Sequence, residues 1–155
     1  MKTTQIGFLA LLLAGASWAG PALAHSDRDY TATDPAYRAE CGSCHLAYPP
    51  ELLPASSWRA LMTGLDKHFG TDASLDPTTA ARIAAFLERN AGRERGAVAR
   101  PPLRITETRW FAHEHDEVSG RVWKSAKVKS ASNCAACHTG AERGDFDEDS
   151  VRIPK

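Results

Sequence analysis

The sequence shows no excess of charge of either sign, with 19 basic and 19 acidic residues among 155. A balanced chain has no general attraction to phosphate backbones, so we expect no nucleic-acid partner. The chain also has no apolar run of about 20 residues, the length that a membrane-spanning helix needs. Its 43% hydrophobic content is ordinary for a globular protein and excludes an intrinsically disordered chain.

Cysteine is confined to two copies of one pentapeptide pattern, CGSCH at residues 41–45 and CAACH at residues 134–138. No cysteine remains for a catalytic thiol or for a separate disulfide framework. Methionine is scarce too, and Met62 is the only one besides Met1. Few sulfur-containing residues are therefore available for a site that needs sulfur ligands.

Residues 1–24 have the pattern of a secretory signal peptide. Lys2 supplies the positive start, residues 6–16 are apolar, and Ala22-Leu23-Ala24 forms the small-x-small site that a signal peptidase recognises. We expect cleavage after Ala24, a periplasmic location and no stable membrane insertion of the mature chain. An uncleaved membrane anchor is the alternative.

The Cys-x-x-Cys-His pattern is typical of covalent haem attachment. Its two thiols are spaced to form thioethers with the vinyl groups of one haem, and the histidine follows as an iron ligand. The two copies predict two covalently bound haem c groups. The attachment residues are Cys41, Cys44, Cys134 and Cys137, and the ligands within the motifs are His45 and His138.

Three other interpretations of the cysteines are weaker. A thioredoxin-like redox pair does not call for a following histidine. A disulfide framework leaves the twice-repeated histidine unexplained. A zinc site built from both pairs would have to close over the 89 residues between Cys44 and Cys134, far more than common zinc modules enclose.

The first half of the mature chain predicts three helices. A helix capped by Asp34 and Pro35 runs into Cys41. A second helix over residues 57–69 places Trp58, Leu61, Leu65 and His68 on one face and ends at Gly70. A third follows Asp76-Pro77. This order resembles a small class I cytochrome c fold over residues 25–92.

The second half differs from the first outside its pentapeptide. Residues 90–102 are rich in glycine, proline and arginine, as in a linker. A helix over residues 106–118 precedes a break at Ser119-Gly120. We therefore expect a mainly α protein with two small haem-binding domains, residues 25–95 and residues 96–155. The second domain should be irregular with few helices.

Charge is unevenly distributed, with a net of +4 over residues 91–129. A basic stretch within it is either a site that neutralises haem propionates, a docking surface for an acidic partner, or simply a solvated face. Its members are Arg121, Lys124, Lys127 and Lys129.

The remaining histidines decide whether each iron has a protein ligand at its sixth position or keeps that position open. For the first haem, His68 at the edge of an apolar helix face is preferred as the sixth ligand. Met62 on the same face is the alternative, although a methionine on an apolar stripe more often fills a core.

For the second haem, His115 is preferred over His113. The two residues project to nearly opposite sides of a helix, and His115 shares an apolar line with Phe111. His113 is interpreted as a surface histidine. His25 would begin the mature chain and is expected to be mobile.

The residues around the second motif carry a family resemblance. Trp110-Phe111, His115 and residues 133–146 (NCAACHTGAERGDF) resemble the bacterial periplasmic dihaem cytochrome c proteins. The resemblance implies two bis-histidine irons, with His45/His68 and His138/His115 as the axial pairs. It also implies a soluble oxygen-binding monohaem cytochrome and a membrane b-type cytochrome as partners.

The leading functional hypothesis is a monomeric electron carrier with low reduction potentials, since histidine in place of methionine favours the oxidised iron. A dihaem oxidoreductase or peroxidase is the alternative, and it would need one open or labile iron. Arg109, His113 or Glu114 could then serve a distal pocket. A gas or redox sensor is a third interpretation, disfavoured because no signalling domain is recognisable.

Overall fold

A computed structural model describes residues 32–94 and 100–155. The expected signal peptide, the cleavage site after Ala24, His25 and residues 95–99 of the expected linker lie outside these ranges. The described residues form helices and turns with isolated bridges and no strand, so the expectation of a mainly α fold is confirmed. The α-helices are α1 (Pro35–Cys41), α2 (Ala55–Thr63), α3 (Pro77–Arg89), α4 (Arg109–Glu114) and α5 (Gly120–Trp123).

Helix α1 leads directly into the first Cys-x-x-Cys-His motif. The Asp34 carboxylate caps it by accepting hydrogen bonds from the backbone of Ala36 and Tyr37 at 2.9 and 3.0 Å. Proline at the first helical position loses no hydrogen bond there. The predicted capped helix into Cys41 is confirmed, and it fixes where the motif turn begins.

The predicted helix over residues 57–69 is wrong in its second half. Helix α2 ends at Thr63, and Gly64 donates its N–H to Leu61 at 3.1 Å. A 3-10 turn follows at Leu65–Lys67, and the Leu65 carbonyl accepts a hydrogen bond from Ala73 at 2.8 Å. The chain therefore doubles back on itself, and His68 lies in a turn instead of on a helix face.

Helix α3 closes the first half, and its predicted start after Asp76 is confirmed. The Asp76 carboxylate accepts from the N–H groups of Thr78 and Thr79. The helix packs against α1 and α2 around a small core. This core contains Ala32, Tyr37, Leu53, Trp58, Ile83, Phe86 and Leu87.

The second half is irregular, as expected, but its first helix is shorter than the predicted residues 106–118. A 3-10 turn at Ile105–Glu107 precedes α4, and the Thr108 hydroxyl caps α4 by accepting from the Phe111 N–H. Three further 3-10 turns follow α5, at Cys134–Ala136, Ala141–Arg143 and Glu148–Ser150. The break predicted at Ser119-Gly120 is placed too late, because α4 already ends at Glu114 and Gly120 is the first residue of α5.

Several contacts join the two halves. Ile105 packs against the first core, and the Arg104 guanidinium lies 3.9 Å from the centre of the Phe69 ring. The Tyr48 hydroxyl donates to the Ser132 carbonyl at 2.8 Å. Residues just after 100 thus contact the first half, while the division into domains at residue 95 stays a prediction.

Candidate functional site

The first candidate site lies between His45 and His68. His45 follows the turn after α1, and His68 sits in the turn between α2 and α3. Their ring centroids are 6.2 Å apart, and the ring planes differ by only 21°. Phe69 and Gly70 after His68 have φ values of 51° and 99°, so this turn is left-handed at two consecutive residues. The turn directs His68 toward His45.

The second candidate site lies between His115 and His138. His115 ends α4, and His138 follows the 3-10 turn Cys134–Ala136. Their ring centroids are 6.1 Å apart and their planes differ by 73°. The structure thus brings together the two histidine pairs that the sequence predicts.

Both spacings fit a single iron held between two imidazoles. A ring nitrogen lies about 2 Å from a first-row metal ion and the ring centre roughly 1 Å further away. Two such rings on opposite sides of one metal therefore have centres about 6 Å apart, by the same geometry. The observed 6.2 and 6.1 Å match this requirement at both sites.

Backbone carbonyls orient two of the four rings. The Nδ1 atom of His45 lies 2.7 Å from the Leu46 carbonyl oxygen, and that of His115 lies 2.9 Å from the Phe111 oxygen. Such contacts fix the tautomer with the proton on Nδ1 and leave Nε2 as the free metal-binding nitrogen. The Nδ1 of His138 is buried without a hydrogen-bond partner in the described chain.

Burial keeps two of the rings neutral. It lowers the pKa of His68, and the neighbouring His45 and Arg104 lower it further. It also lowers the pKa of His138, where His115 adds to the effect and Asp145 opposes it. Only a neutral imidazole has the lone pair that binds a metal, so both environments favour the ligating form.

Before haem is attached the four cysteines are thiols, two beside each motif histidine. Burial raises the pKa of Cys41 to about 11, and it also raises the pKa of Cys134. Cys44 is exposed at the surface. No two of these thiols form a disulfide among the described residues, so all four are available for thioether attachment.

The other two ligand candidates differ in their surroundings. Met62 is partly buried and packs against the first core, as expected of a methionine on an apolar face. His113 is exposed on α4. Within residues 32–94 and 100–155, no group of three or more His, Cys, Asp or Glu side chains is arranged to hold a metal ion.

Aromatic rings pack against the histidines. Tyr48 stacks on His45 with ring centroids 4.9 Å apart, and Phe146 contacts His138 at 5.2 Å. Trp123 lies 5.9 Å from His115. Sequence reasoning missed Trp123, and it placed Tyr48 only in a loop. The one available signal was that Tyr48 follows His45 by three residues, within one turn.

Two Cys-x-x-Cys-His turns, each facing a second histidine at the separation one iron requires, define the class of dihaem c-type cytochromes. A family profile described as "Dihaem cytochrome c" matches residues 37–146, which is more than half of the chain. The chain belongs to the dihaem cytochrome c family, and it carries two covalently bound haem c groups.

Solved structures agree with this assignment. The chain is 53% identical to a diheme cytochrome c from Rhodobacter sphaeroides, with a TM-score of 0.69, covering 75% of this chain and 98% of that one. It is 47% identical to a diheme cytochrome c from Shewanella baltica OS155, with a TM-score of 0.68, covering 77% and 92%. No curated protein sequence matches the chain.

Proposed function

We propose that this dihaem cytochrome c is a periplasmic electron carrier of low reduction potential. One observation carries the proposal: each Cys-x-x-Cys-His histidine faces a second histidine at 6.2 or 6.1 Å. The histidine pairs that would hold the two irons are His45/His68 and His138/His115. An iron with two protein ligands has no position open for a substrate, which favours electron transfer over catalysis.

The haem, when bound, supplies an iron that takes up and releases one electron. The chain's contribution is to hold the ligands. The carbonyls of Leu46 and Phe111 fix the rings of His45 and His115, and this limits the rearrangement that accompanies each transfer. Imidazole in place of a thioether stabilises the oxidised iron, which places both potentials below those of common His/Met cytochromes.

Partner docking is the next part of the proposal. By family resemblance, a membrane b-type cytochrome donates electrons and a soluble oxygen-binding monohaem cytochrome accepts them. The basic stretch supports a charged docking surface, since all four of its members are exposed. Docking through exposed charges is transient and weakens as salt is added. The members are Arg121, Lys124, Lys127 and Lys129.

Location follows from the expected signal peptide, which would deliver the chain to the periplasm with cleavage after Ala24. In the part of the chain that the structure describes, every helix is too short or too polar to cross a membrane. The carrier is proposed to act as a monomer.

Low-temperature electron paramagnetic resonance of the oxidised holoprotein tests the axial ligands. Two low-spin signals are expected, and they should differ because the ring planes are 21° apart in one pair and 73° apart in the other. The reduced protein should not bind carbon monoxide at neutral pH. A high-spin signal together with ready carbon monoxide binding would overturn the proposal of an electron carrier and would support a dihaem oxidoreductase or peroxidase.

A further inference from the structure

Tyr48 contacts the first haem-attachment motif and the segment just before the second, although the two are distant in sequence. Its ring stacks on His45, with centroids 4.9 Å apart and planes within 21°. Its hydroxyl donates to the Ser132 carbonyl oxygen at 2.8 Å, across 84 residues. Ser132 lies two residues before Cys134. A single side chain therefore joins the ligand of the first motif to the start of the second.

Both ends of this contact are fixed. The Tyr48 carbonyl accepts a hydrogen bond of 2.8 Å from the hydroxyl of Tyr37, a core residue that is 2% exposed. On the other side, the Ser132 N–H donates to Ser130 Oγ at 3.2 Å. Asn133 then donates to the carbonyl of Val128, which is 1% exposed. Tyr48 thus links two anchored segments.

The direction of this hydrogen bond is set by its two groups, because the phenol donates and the carbonyl of Ser132 can only accept. The acceptor is a backbone carbonyl, which no side-chain substitution at Ser132 removes. The contact can therefore be broken from the tyrosine side alone.

We propose that Tyr48 is a positioning residue that holds the second motif against the first and thereby sets the rate of electron exchange between the two haems. The proposal rests on the bis-histidine electron carrier proposed above. In this exchange one electron leaves the ferrous iron of one haem and reduces the ferric iron of the other, so no outside oxidant is needed. Because such transfer is sensitive to separation, a loosened second motif slows it.

Tyr48→Phe is the informative variant, because it keeps the ring on His45 and removes only the hydroxyl. Ser132→Ala is the matched control, because it removes a hydroxyl from the same place and leaves the accepting carbonyl. In the holoprotein, amide hydrogen exchange over residues 130–138 should become about fivefold faster in Tyr48→Phe, the factor that a hydrogen bond of about 1 kcal/mol corresponds to. Ser132→Ala should leave Tyr48's contact intact.

The second readout is the rate of internal electron exchange after rapid one-electron reduction. It should fall in Tyr48→Phe and keep the wild-type value in Ser132→Ala. The resonance signal of the His45/His68 pair should not change, since the stacked ring remains. An unchanged exchange rate in Tyr48→Phe would overturn the proposal even if amide exchange accelerated, because the contact would then be only structural.

A measurement without substitution covers the case in which Tyr48→Phe does not fold. The chain has three tyrosines, and uniform 3-fluorotyrosine labelling reports on each by fluorine resonance. The Tyr48 signal should move in both steps of a reductive titration, since its side chain contacts His45 and the segment just before the second motif. Movement in one step only would overturn the proposal. Carbon monoxide binding by the wild-type protein separately tests the carrier function on which it rests.

Discussion

Phe111 and His115 contact each other twice. Their rings stack with centroids 4.0 Å apart and planes within 18°, and the Phe111 carbonyl oxygen lies 2.9 Å from Nδ1 of His115. Phe111 is itself buried, with 8% of its surface exposed. One residue, a single helical turn earlier, therefore fixes both the tilt and the tautomer of the proposed ligand to the second iron.

Replacing Phe111 with leucine should loosen this ligand without removing the carbonyl. We expect a stability loss of about 1 kcal/mol, as is typical of a buried substitution. One of the two low-spin resonance signals should also broaden or shift, because His115 loses the ring that defines its orientation. Trp110→Leu, at a residue 37% exposed on the same helix, is the control and should leave both signals unchanged. Equal effects of the two substitutions would contradict this role for Phe111.

Replacing His115 with glycine should leave the second iron with a vacant ligand position, while the first iron keeps both of its histidines. The expected result is carbon monoxide binding by half of the haem in the reduced protein, measured by difference spectroscopy. His113→Gly is the matched control, because His113 is exposed two residues earlier and should leave binding absent. Carbon monoxide binding by the His113 variant instead would reverse the ligand assignment.

Replacing Arg104 with glutamine should remove the cation–π contact with Phe69. Its guanidinium lies 3.9 Å from the ring centre, and contacts of this type are worth about 0.5–1 kcal/mol at exposed sites. A small decrease in the unfolding temperature of the holoprotein is expected. Arg109→Gln, which removes an exposed arginine nearby, should have a smaller effect. A larger loss from Arg109→Gln would show that the contact with Phe69 contributes little.

Acid should weaken the start of helix α1. The Tyr37 N–H donates a hydrogen bond to the Asp34 carboxylate, and the Arg82 guanidinium adds a second hydrogen bond and a positive charge. Together they hold the pKa of Asp34 below its ordinary 3.8. The folded state therefore gains stability from this group above pH 3.8, and loses it as pH falls through the lower folded-state value. Asp34→Asn should flatten that part of the acid unfolding curve, measured by circular dichroism. Asp66→Asn is the control, and an identical flattening there would refute the capping explanation.

The two aspartate–proline pairs show what the sequence can predict about this fold. Asp34 and Asp76 cap helices that begin one residue later, because the capping interaction is local and needs only a few consecutive residues. The starts of α1 and α3 could therefore be read directly from the sequence.

The position of His68 shows where the periodicity of the sequence misleads. The apolar spacing continues from Trp58 to His68, but Gly64 interrupts the helix and the Leu65 carbonyl bonds to Ala73 instead of continuing it. Periodicity records which residues are apolar and carries no information on a competing partner eight residues away. The turn nevertheless places the His68 ring 6.2 Å from the His45 ring, and His68 as an iron ligand stays a prediction.

Contacts between distant segments were beyond prediction altogether. The hydrogen bond from Tyr48 to Ser132 spans 84 residues and ends on a backbone carbonyl, which every residue possesses. No residue type or spacing marks such an acceptor. The tilted packing of Trp123 against His115 is a similar case, since it depends on how α5 follows α4.

The turn that carries Cys137 is completed from far along the chain. The Arg152 N–H donates to the Cys137 carbonyl at 2.9 Å, so a residue fifteen positions later closes the second attachment loop. This loop therefore cannot reach its final shape until residue 152 has been synthesised. The first loop, built on α1, has all its local partners much earlier. Because the chain is made from the amino end to the carboxyl end, the first loop can reach its final conformation before the second.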